Sequence, residues 1–296
     1  MPFVVKRLEA KRGQNVQIFL YEALNCSMSY AQKLLDKKRV YDDKGNILQK
    51  KQLLKCDYIE FAEFVGEHRG VNPLFITEDF ALFDKPSGVL VHPATRATPY
   101  CLLDEVKYHF GNEANITHRI DAETSGLLLV SRNKYSEQIL KIMWDEKEFT
   151  KKYLALVEGE VKDELIIDKP IGKADSFIRV KMKVREDGKH STTKVKPLTY
   201  NKEKNQTLLE VTPITGRQHQ IRVHLDYIGH RIVGDPIYGV PEDVSDRYLG
   251  RKLSEEERIE LTGSHRLWLH ANYLEFNFHN RLYKINSKNK EIYEQL

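Results

Sequence analysis

The chain has 296 residues, of which 41% are hydrophobic and 30% charged, and its formal net charge is only +4. That length suits two unequal domains with a sizeable core, and the balance excludes an acidic solvating chain and a histone-like polycation. Cys26, Cys56 and Cys101 are widely spaced and form no Cys-x-x-Cys pair, which argues for reduced thiols rather than a disulfide framework.

In chain order, the first 62 residues read as a small basic module. Asn15 is placed to cap a helix whose apolar face is Val16, Phe19, Leu20, Ala23 and Leu24. Ser29 with Gln32 has capping-box spacing before a second helix carrying Ala31, Leu34 and Leu35. That helix runs into Lys37, Lys38 and Arg39, followed by an Asp43-Lys44-Gly45 turn and a strand near 57–61. Through residue 55 there are 12 Lys/Arg against 5 Asp/Glu, so this end alone carries more positive charge than the whole chain. Residues 63–73, with Gly66, Gly70 and Pro73, read as a linker.

From residue 74 onward short apolar runs are bounded by turns: 80–83, 89–91, 127–130, 153–157, 208–211 and 221–225 read as strands, and 133–144 as a helix. Strand–helix units do not alternate regularly. The expectation is an α+β catalytic part, 74–296, with a mixed, mainly antiparallel sheet, peripheral helices and a central cleft. No signal-peptide core opens the chain, and its apolar runs fall far short of the roughly 20 residues of a membrane helix. A cytoplasmic protein with no membrane partner is expected.

Four segments hold residue types that do chemistry. DKPSGVLVHP (84–93) reads as a tight turn between buried strands. HRIDAETSG (118–126) puts the carboxylate of Asp121 in a polar loop just before a buried strand, a position with a rigid base and an open front. His118, Asp121 and Ser125 are the residue types of a hydrolase triad, but no G-x-S-x-G elbow accompanies them. KKYLALVEG (151–159) sets Tyr153 on a strand. TGRQHQIRVHLDYIGH (215–230) alternates Ile221, Val223 and Leu225 with Gln220, Arg222 and His224, which reads as a strand with one polar face suited to phosphates and base edges. His219, His224 and His230 lack metal-ligand spacing, so no metal is expected. Residues 179–185 alternate basic and apolar side chains, as on a strand with a cationic face.

Taken together, these four co-linear segments resemble the RluA-type pseudouridine synthase family, whose pattern H-R-L-D-R-x-T-S-G-L-L-L appears here as HRIDAETSGLLL. The resemblance covers about residues 71–280 and implies the pseudouridine synthase fold. Ala122 stands where the family carries a basic residue, and Arg231 where it often has proline. The first 62 residues are similar to an S4 RNA-binding domain, although a glycine usual before its turn is absent from Lys38-Arg39-Val40.

The resemblance implies an isomerase that converts RNA uridine to pseudouridine without a cofactor. It assigns Asp121 as nucleophile or base, Arg217 as its ion-pair partner and Tyr153 as a stacking and proton-handling residue. Arg119 would enter the space left by a flipped base, with Gln218, His219 and Arg222 contacting the RNA. Lys37, Lys38 and Arg39 would contact the RNA backbone. Large-subunit (23S) ribosomal RNA is the expected target and a monomer the expected state. The alternatives are a tRNA pseudouridine synthase and a non-catalytic S4-type RNA-binding protein. A methyltransferase would need a Gly-rich cofactor loop, and an aminoacyl-tRNA synthetase would need its nucleotide motifs; the chain has neither.

Overall fold

The structure, a computed structural model, describes residues 3–95 and 98–296; residues 1–2 of the expected 1–62 module lie outside the described residues. The N-terminal part contains β1 (Phe3–Glu9), α1 (Val16–Ala23), α2 (Met28–Asp36), β2 (Val40–Asp42) and β3 (Tyr58–Phe64). Its strands form an antiparallel sheet in the order β1-β3-β2. Val16, Phe19, Leu20, Ala31, Leu34 and Leu35 meet Val40, Ile59 and Phe61 in a core separate from the rest of the chain. Asn15 caps α1 as its spacing predicts, accepting from the amides of Gln17 and Ile18. The capping box expected at Ser29 is not there. Ser27 caps α2, because its extended backbone lets its oxygen reach the Tyr30 amide, whereas Ser29 already lies inside the helix.

Residues 65–72 connect β3 to β4 (Pro73–Ile76). Gly66 lets this linker lie directly on the next helix: a Cβ there would fall 2.3 Å from the Asp104 carbonyl oxygen and 2.4 Å from the Tyr108 nitrogen.

The second part continues with β5 (Phe80–Lys85), α3 (Leu102–Phe110), β6 (Asn115–Ile116), β7 (Ser125–Ser131), α4 (Lys134–Asp145), β8 (Thr150–Glu158), β9 (Leu165–Asp168), β10 (Ile171–Lys173) and β11 (Met182–Val184). It ends with β12 (Thr192–Asn201), β13 (Gln206–Pro213), α5 (Gln220–Tyr227), α6 (Glu242–Leu249), α7 (Glu255–Thr262), β14 (Leu269–Phe278) and β15 (Arg281–Asn286). The large sheet runs β4-β5-β7-β14-β8-β13-β12-β9, with β15 beside β14 and β6 beside β7. Its pairs are antiparallel except β7 with β14. The expected mixed, mainly antiparallel α+β architecture is therefore what the chain adopts.

Both faces of β7 are covered, which accounts for its unbroken apolar run. Leu127 and Leu129 pack with Leu140 and Met143 of α4, while Leu128 and Val130 pack with Leu102 and Val106 of α3. At the parallel junction Gly126, with φ +107°, comes so close to β14 that a Cβ would sit 2.3 Å from the Ala271 carbonyl oxygen.

Three expected strands differ. Residues 89–91 join no sheet, because the carbonyls of Leu90 and Val91 accept instead from the amides of Leu102 and Leu103 at the start of α3. Of 179–185 only Met182–Val184 is strand, paired with β10. Residues 221–225 form helix α5, not a strand. Helix α5 is buried on opposite sides at once: Ile221 and Leu225, one turn apart, face β8 and β13, while Val223 packs on Ile171, Ile237 and Tyr238. Burial all round removes the polar face that distinguishes a helix period from alternation.

Candidate functional site

The loop between β6 and β7 carries Asp121, and the residues of 84–88 clamp it. Lys85, 1% exposed at the end of β5, donates from Nζ to the carbonyls of Ala122 (2.7 Å), Pro86 (2.8 Å) and Val89 (2.8 Å). The Gly88 amide donates to the Ala122 carbonyl at 2.9 Å, and Ser87 Oγ to the Glu123 carbonyl at 2.6 Å. Burial pushes Lys85 down to about 7. Three carbonyl acceptors nonetheless match the three N–H groups of an ammonium, which favours the charged form. From the far side Glu123 accepts from Tyr248 Oη at 2.7 Å and Arg258 Nη2 at 2.6 Å. The tight turn read from the sequence is thus the mount of the Asp121 loop.

Asp121 opens into a cleft whose inner chamber, about 350 Å³, is also lined by Arg119, Tyr153, Arg217, His219 and Arg222. A wider outer chamber of about 660 Å³ adds His92, Gln218 and Tyr248. These volumes suit a small organic group. The structure therefore gathers Asp121, Tyr153, Arg217, Arg119, Gln218, His219 and Arg222 around one depression. Lys37, Lys38 and Arg39 lie elsewhere, at the C-terminal end of α2. Lys37 and Lys38 are exposed, and the Arg39 guanidinium stacks 4.5 Å from the Phe3 ring centroid.

One pairing is corrected. The arginine on Asp121 is Arg222, whose Nη1 donates to Asp121 Oδ2 at 3.1 Å. Arg217 is exposed, and its Nε donates to the His190 carbonyl at 3.0 Å. The helical geometry of α5 is the cause: it turns residue 222 inward across from the Asp121 loop and leaves 217 in the preceding turn. Arg222 is also held by Asp235, whose two oxygens accept from Nε and Nη2 at 2.7 Å each. The side chains of Arg222 and Asp235 are 3% and 0% exposed, against 29% for Asp121. Burial alone would lower the guanidinium, but Asp235 and then Asp121 outweigh it and hold it charged. Asp235 is completed by the amides of Ile237 and Tyr238 at 2.9 and 3.0 Å. Sequence reasoning gave Asp235 no role.

His219 caps α5 in the left-handed region, φ +55°, a conformation costing about 1–3 kcal/mol for such a residue. Its Nδ1 pairs with Tyr238 Oη at 2.8 Å, and Nε2 lies 3.8 Å from Asp121 Oδ2. His224 and His230 are engaged elsewhere, with Thr193 and the Lys169 carbonyl, and with the Glu158 carbonyl, so the three histidines do not converge.

Tyr153 reaches the chamber from β8. Burial, then the Asp121 charge, raises its phenol, so it stays protonated at neutral pH. His118 lies behind the loop. Its Nε2 accepts from the Leu129 amide at 3.0 Å, and burial pushes its pKa down to about 3. It is a neutral structural ring. Ser125 pairs with His270 and Arg266, so no hydrolase triad forms.

A clamped carboxylate, an orienting guanidinium and a protonated tyrosine around a half-open cleft suit acid–base or nucleophilic chemistry on a small organic group. The comparisons assign the class. The RNA pseudouridylate synthase family matches residues 79–227. A Helicobacter pylori (strain ATCC 700392 / 26695) protein described as an uncharacterized RNA pseudouridine synthase is 38% identical over 290 residues, covering 97% of this chain and 94% of that one. A Nitrosomonas europaea protein named ribosomal large subunit pseudouridine synthase D is 36% identical over 171 residues, 56% of this chain and 49% of that one. Among solved structures, human RNA pseudouridylate synthase domain containing 1 superposes with a TM-score of 0.61 at 25% identity, covering 76% of this chain and 85% of that one. This is an isomerase acting on uridine in RNA. The chain belongs to the RNA pseudouridylate synthase family.

Proposed function

We propose that the chain isomerises specific uridines of large-subunit ribosomal RNA, with Asp121 as the reacting carboxylate. The observation that carries this reading is the Arg222 contact, which fixes the Asp121 carboxylate at the cleft while leaving it 29% exposed. The target rests on relatives whose names specify the large ribosomal subunit.

The reaction breaks the C1′–N1 bond, turns the uracil and rejoins it through C5. Asp121 either attacks ribose C1′ or removes a ribose proton to give a glycal; in both routes the uracil leaves with the bonding electron pair. Arg222 orients the carboxylate without covering it. Tyr153 stacks on the detached base. Because its phenol is protonated, it removes the C5 proton only as a relay, accepting that proton while passing its own to Asp121 or water. Extruding the uridine costs a few kcal/mol, and Arg119, exposed at the rim, fills the vacated stack. Gln218 and His219 contact the RNA from the outer chamber.

Residues 1–62 act as an S4-like module, joined through 63–73 to a catalytic domain at 74–296. Lys37, Lys38 and Arg39 give this module a basic corner for phosphates. The test is ribosomal RNA from a deletion strain, treated with a pseudouridine-specific carbodiimide and read by primer extension. Stops should vanish at large-subunit positions and return with the wild-type gene but not with Asp121→Asn. Loss confined to tRNA would overturn the target, and no loss in any RNA would overturn the function.

A further inference from the structure

Outside the cleft, His68 of the linker meets Glu105 and His109 of α3. Glu105 and His109 are four residues apart, so both side chains stand on one face of the helix. One ring nitrogen of His68, one of His109 and a Glu105 carboxylate oxygen all lie within 4.8 Å of one another. From this grouping we propose a transition-metal site of the zinc(II) class that clips the linker onto α3.

The Glu105 side chain is fully buried, and its oxygens divide their partners. Oε1 accepts from Tyr100 Oη at 2.6 Å, the Arg69 amide at 2.6 Å and the Val71 amide at 3.3 Å. That oxygen is saturated and the carboxylate is fixed. Oε2 is left to the imidazoles, 2.6 Å from His68 Nδ1 and 3.8 Å from His109 Nε2. His109 Nε2 is buried and has no hydrogen-bond partner among the described residues. A hydrogen-bonded pair of His68 and Glu105 leaves this nitrogen unexplained; a shared cation uses all three ligand atoms.

Tetrahedral zinc, with bonds of about 2.0–2.1 Å, separates its ligand atoms by roughly 3.3 Å. The two separations from Glu105, 2.6 and 3.8 Å, straddle that value, and the two imidazoles, within 4.8 Å of each other, need to close by at most about 1.5 Å. Two imidazoles and a carboxylate suit zinc and leave its fourth position to water. The outer shell is in place as well. Tyr100 and two linker amides orient Glu105, and the His68 ring stacks on Tyr108 at 4.9 Å. Because Arg69 and Val71 belong to the linker, a metal here adds a bond to a segment whose backbone Gly66 already holds against α3.

The test uses the full chain, stripped with chelator and titrated with Zn(II), then with Co(II) followed by its visible absorption. One equivalent should bind saturably, with a tetrahedral or five-coordinate cobalt spectrum. His68→Gln and His109→Gln should each weaken binding at least tenfold while retaining the wild-type circular dichroism, and His279→Gln, on the far exposed β14–β15 turn, should not. Zn(II) should also slow tryptic cleavage after Arg69 in the wild type and not in His109→Gln. Absence of saturable binding, or wild-type affinity in either ligand variant, would overturn the site. Binding that leaves cleavage after Arg69 unchanged would overturn the clip.

Discussion

Arg222→Lys separates the orienting arginine from its neighbours. Arg222 places three N–H groups on two carboxylates: two on Asp235 at 2.7 Å and one on Asp121 at 3.1 Å. Lysine keeps the charge but has no planar fork to span them. Its ammonium should stay with Asp235, the carboxylate that is fully buried. One charge-assisted bond to Asp235 and the bond to Asp121 are then lost, each worth about 1.5–3 kcal/mol. Asp235 retains the amides of Ile237 and Tyr238, and the relaxed Asp121 side chain regains water. The net loss of stability should therefore be about 2–3 kcal/mol, below the 3–5 kcal/mol of an uncompensated buried charge. Activity should suffer more, since a misplacement of about 1 Å at a reacting group costs on the order of 10²-fold. The assay is single-turnover release of tritium from C5-labelled uridine in substrate RNA, with urea melts alongside. Arg217→Lys, at an exposed position, should weaken RNA affinity and slow the single turnover less than tenfold. If Arg222→Lys stayed within twofold of wild type while Arg217→Lys fell 100-fold, the orienting role would return to Arg217.

Lys85→Met should cost at least ~2 kcal/mol in urea melts, because the Pro86 and Val89 carbonyls lose the Lys85 donor at about 1–3 kcal/mol each while Ala122 keeps the Gly88 amide; stability within 1 kcal/mol of wild type would refute the clamp. His118 stays neutral in the fold down to about pH 3, whereas the unfolded ring takes up a proton near its ordinary 6.5. The His118 contribution to stability should therefore be lost as pH drops from 6.5 towards 3, by ~2–3 kcal/mol after solvent screening of a partly exposed ring, and His118→Gln should flatten the slope by that share, leaving the part due to His270, which burial holds neutral down to about 4. Tyr153→Phe should keep RNA affinity within about twofold while single-turnover tritium release drops; unchanged release would leave stacking as its whole contribution. Lys37→Gln/Lys38→Gln should lower the slope of log affinity against log salt by about 1–2, and an unchanged slope would remove the basic corner from the RNA interface.

Sequence patterns reported the fold well where an element has a single buried face or a recognisable cap. Asn15 at α1 and the helix from Lys134 to Asp145 lie where spacing put them, with Asn133 as the cap of the latter. The central run 127–130 was legible as a strand because it is short and bounded by turns. The pattern failed at α5, where burial on opposite faces leaves no amphipathic signature. The ion pair implied by the family resemblance, with Arg217, is a separate matter, and Arg222 makes that contact instead. On a strand, 217 and 222 have no fixed relation to the Asp121 loop; on a helix, 222 faces it and 217 lies in the preceding turn. Asp235 and the linker triad of His68, Glu105 and His109 were illegible for another reason. Asp235 is 13 residues from Arg222, and His68 is 37 residues from Glu105 and 41 from His109, so no local period brings these together; only the Glu105–His109 spacing is local.

The division of labour around Arg222 explains why one arginine is shared between two carboxylates of unequal exposure. A guanidinium alone with Asp121 would bind both oxygens in a fork, and the carboxylate would lose the lone pairs that chemistry needs. Asp235 prevents this by occupying Nε and Nη2, the fork itself, at 2.7 Å. A single N–H at 3.1 Å remains for Oδ2 of Asp121, enough to set its direction while Oδ1 stays free of Arg222. The buried acid fixes the arginine, the arginine aims the half-exposed acid, and the Lys85 clamp fixes the backbone from which that acid projects. Each support meets Asp121 from a different element, β5, α5 and the segment after it. Rigidity at the Asp121 carboxylate thus comes from converging contacts on a loop, while its cleft side stays half-exposed, as the proposed role requires.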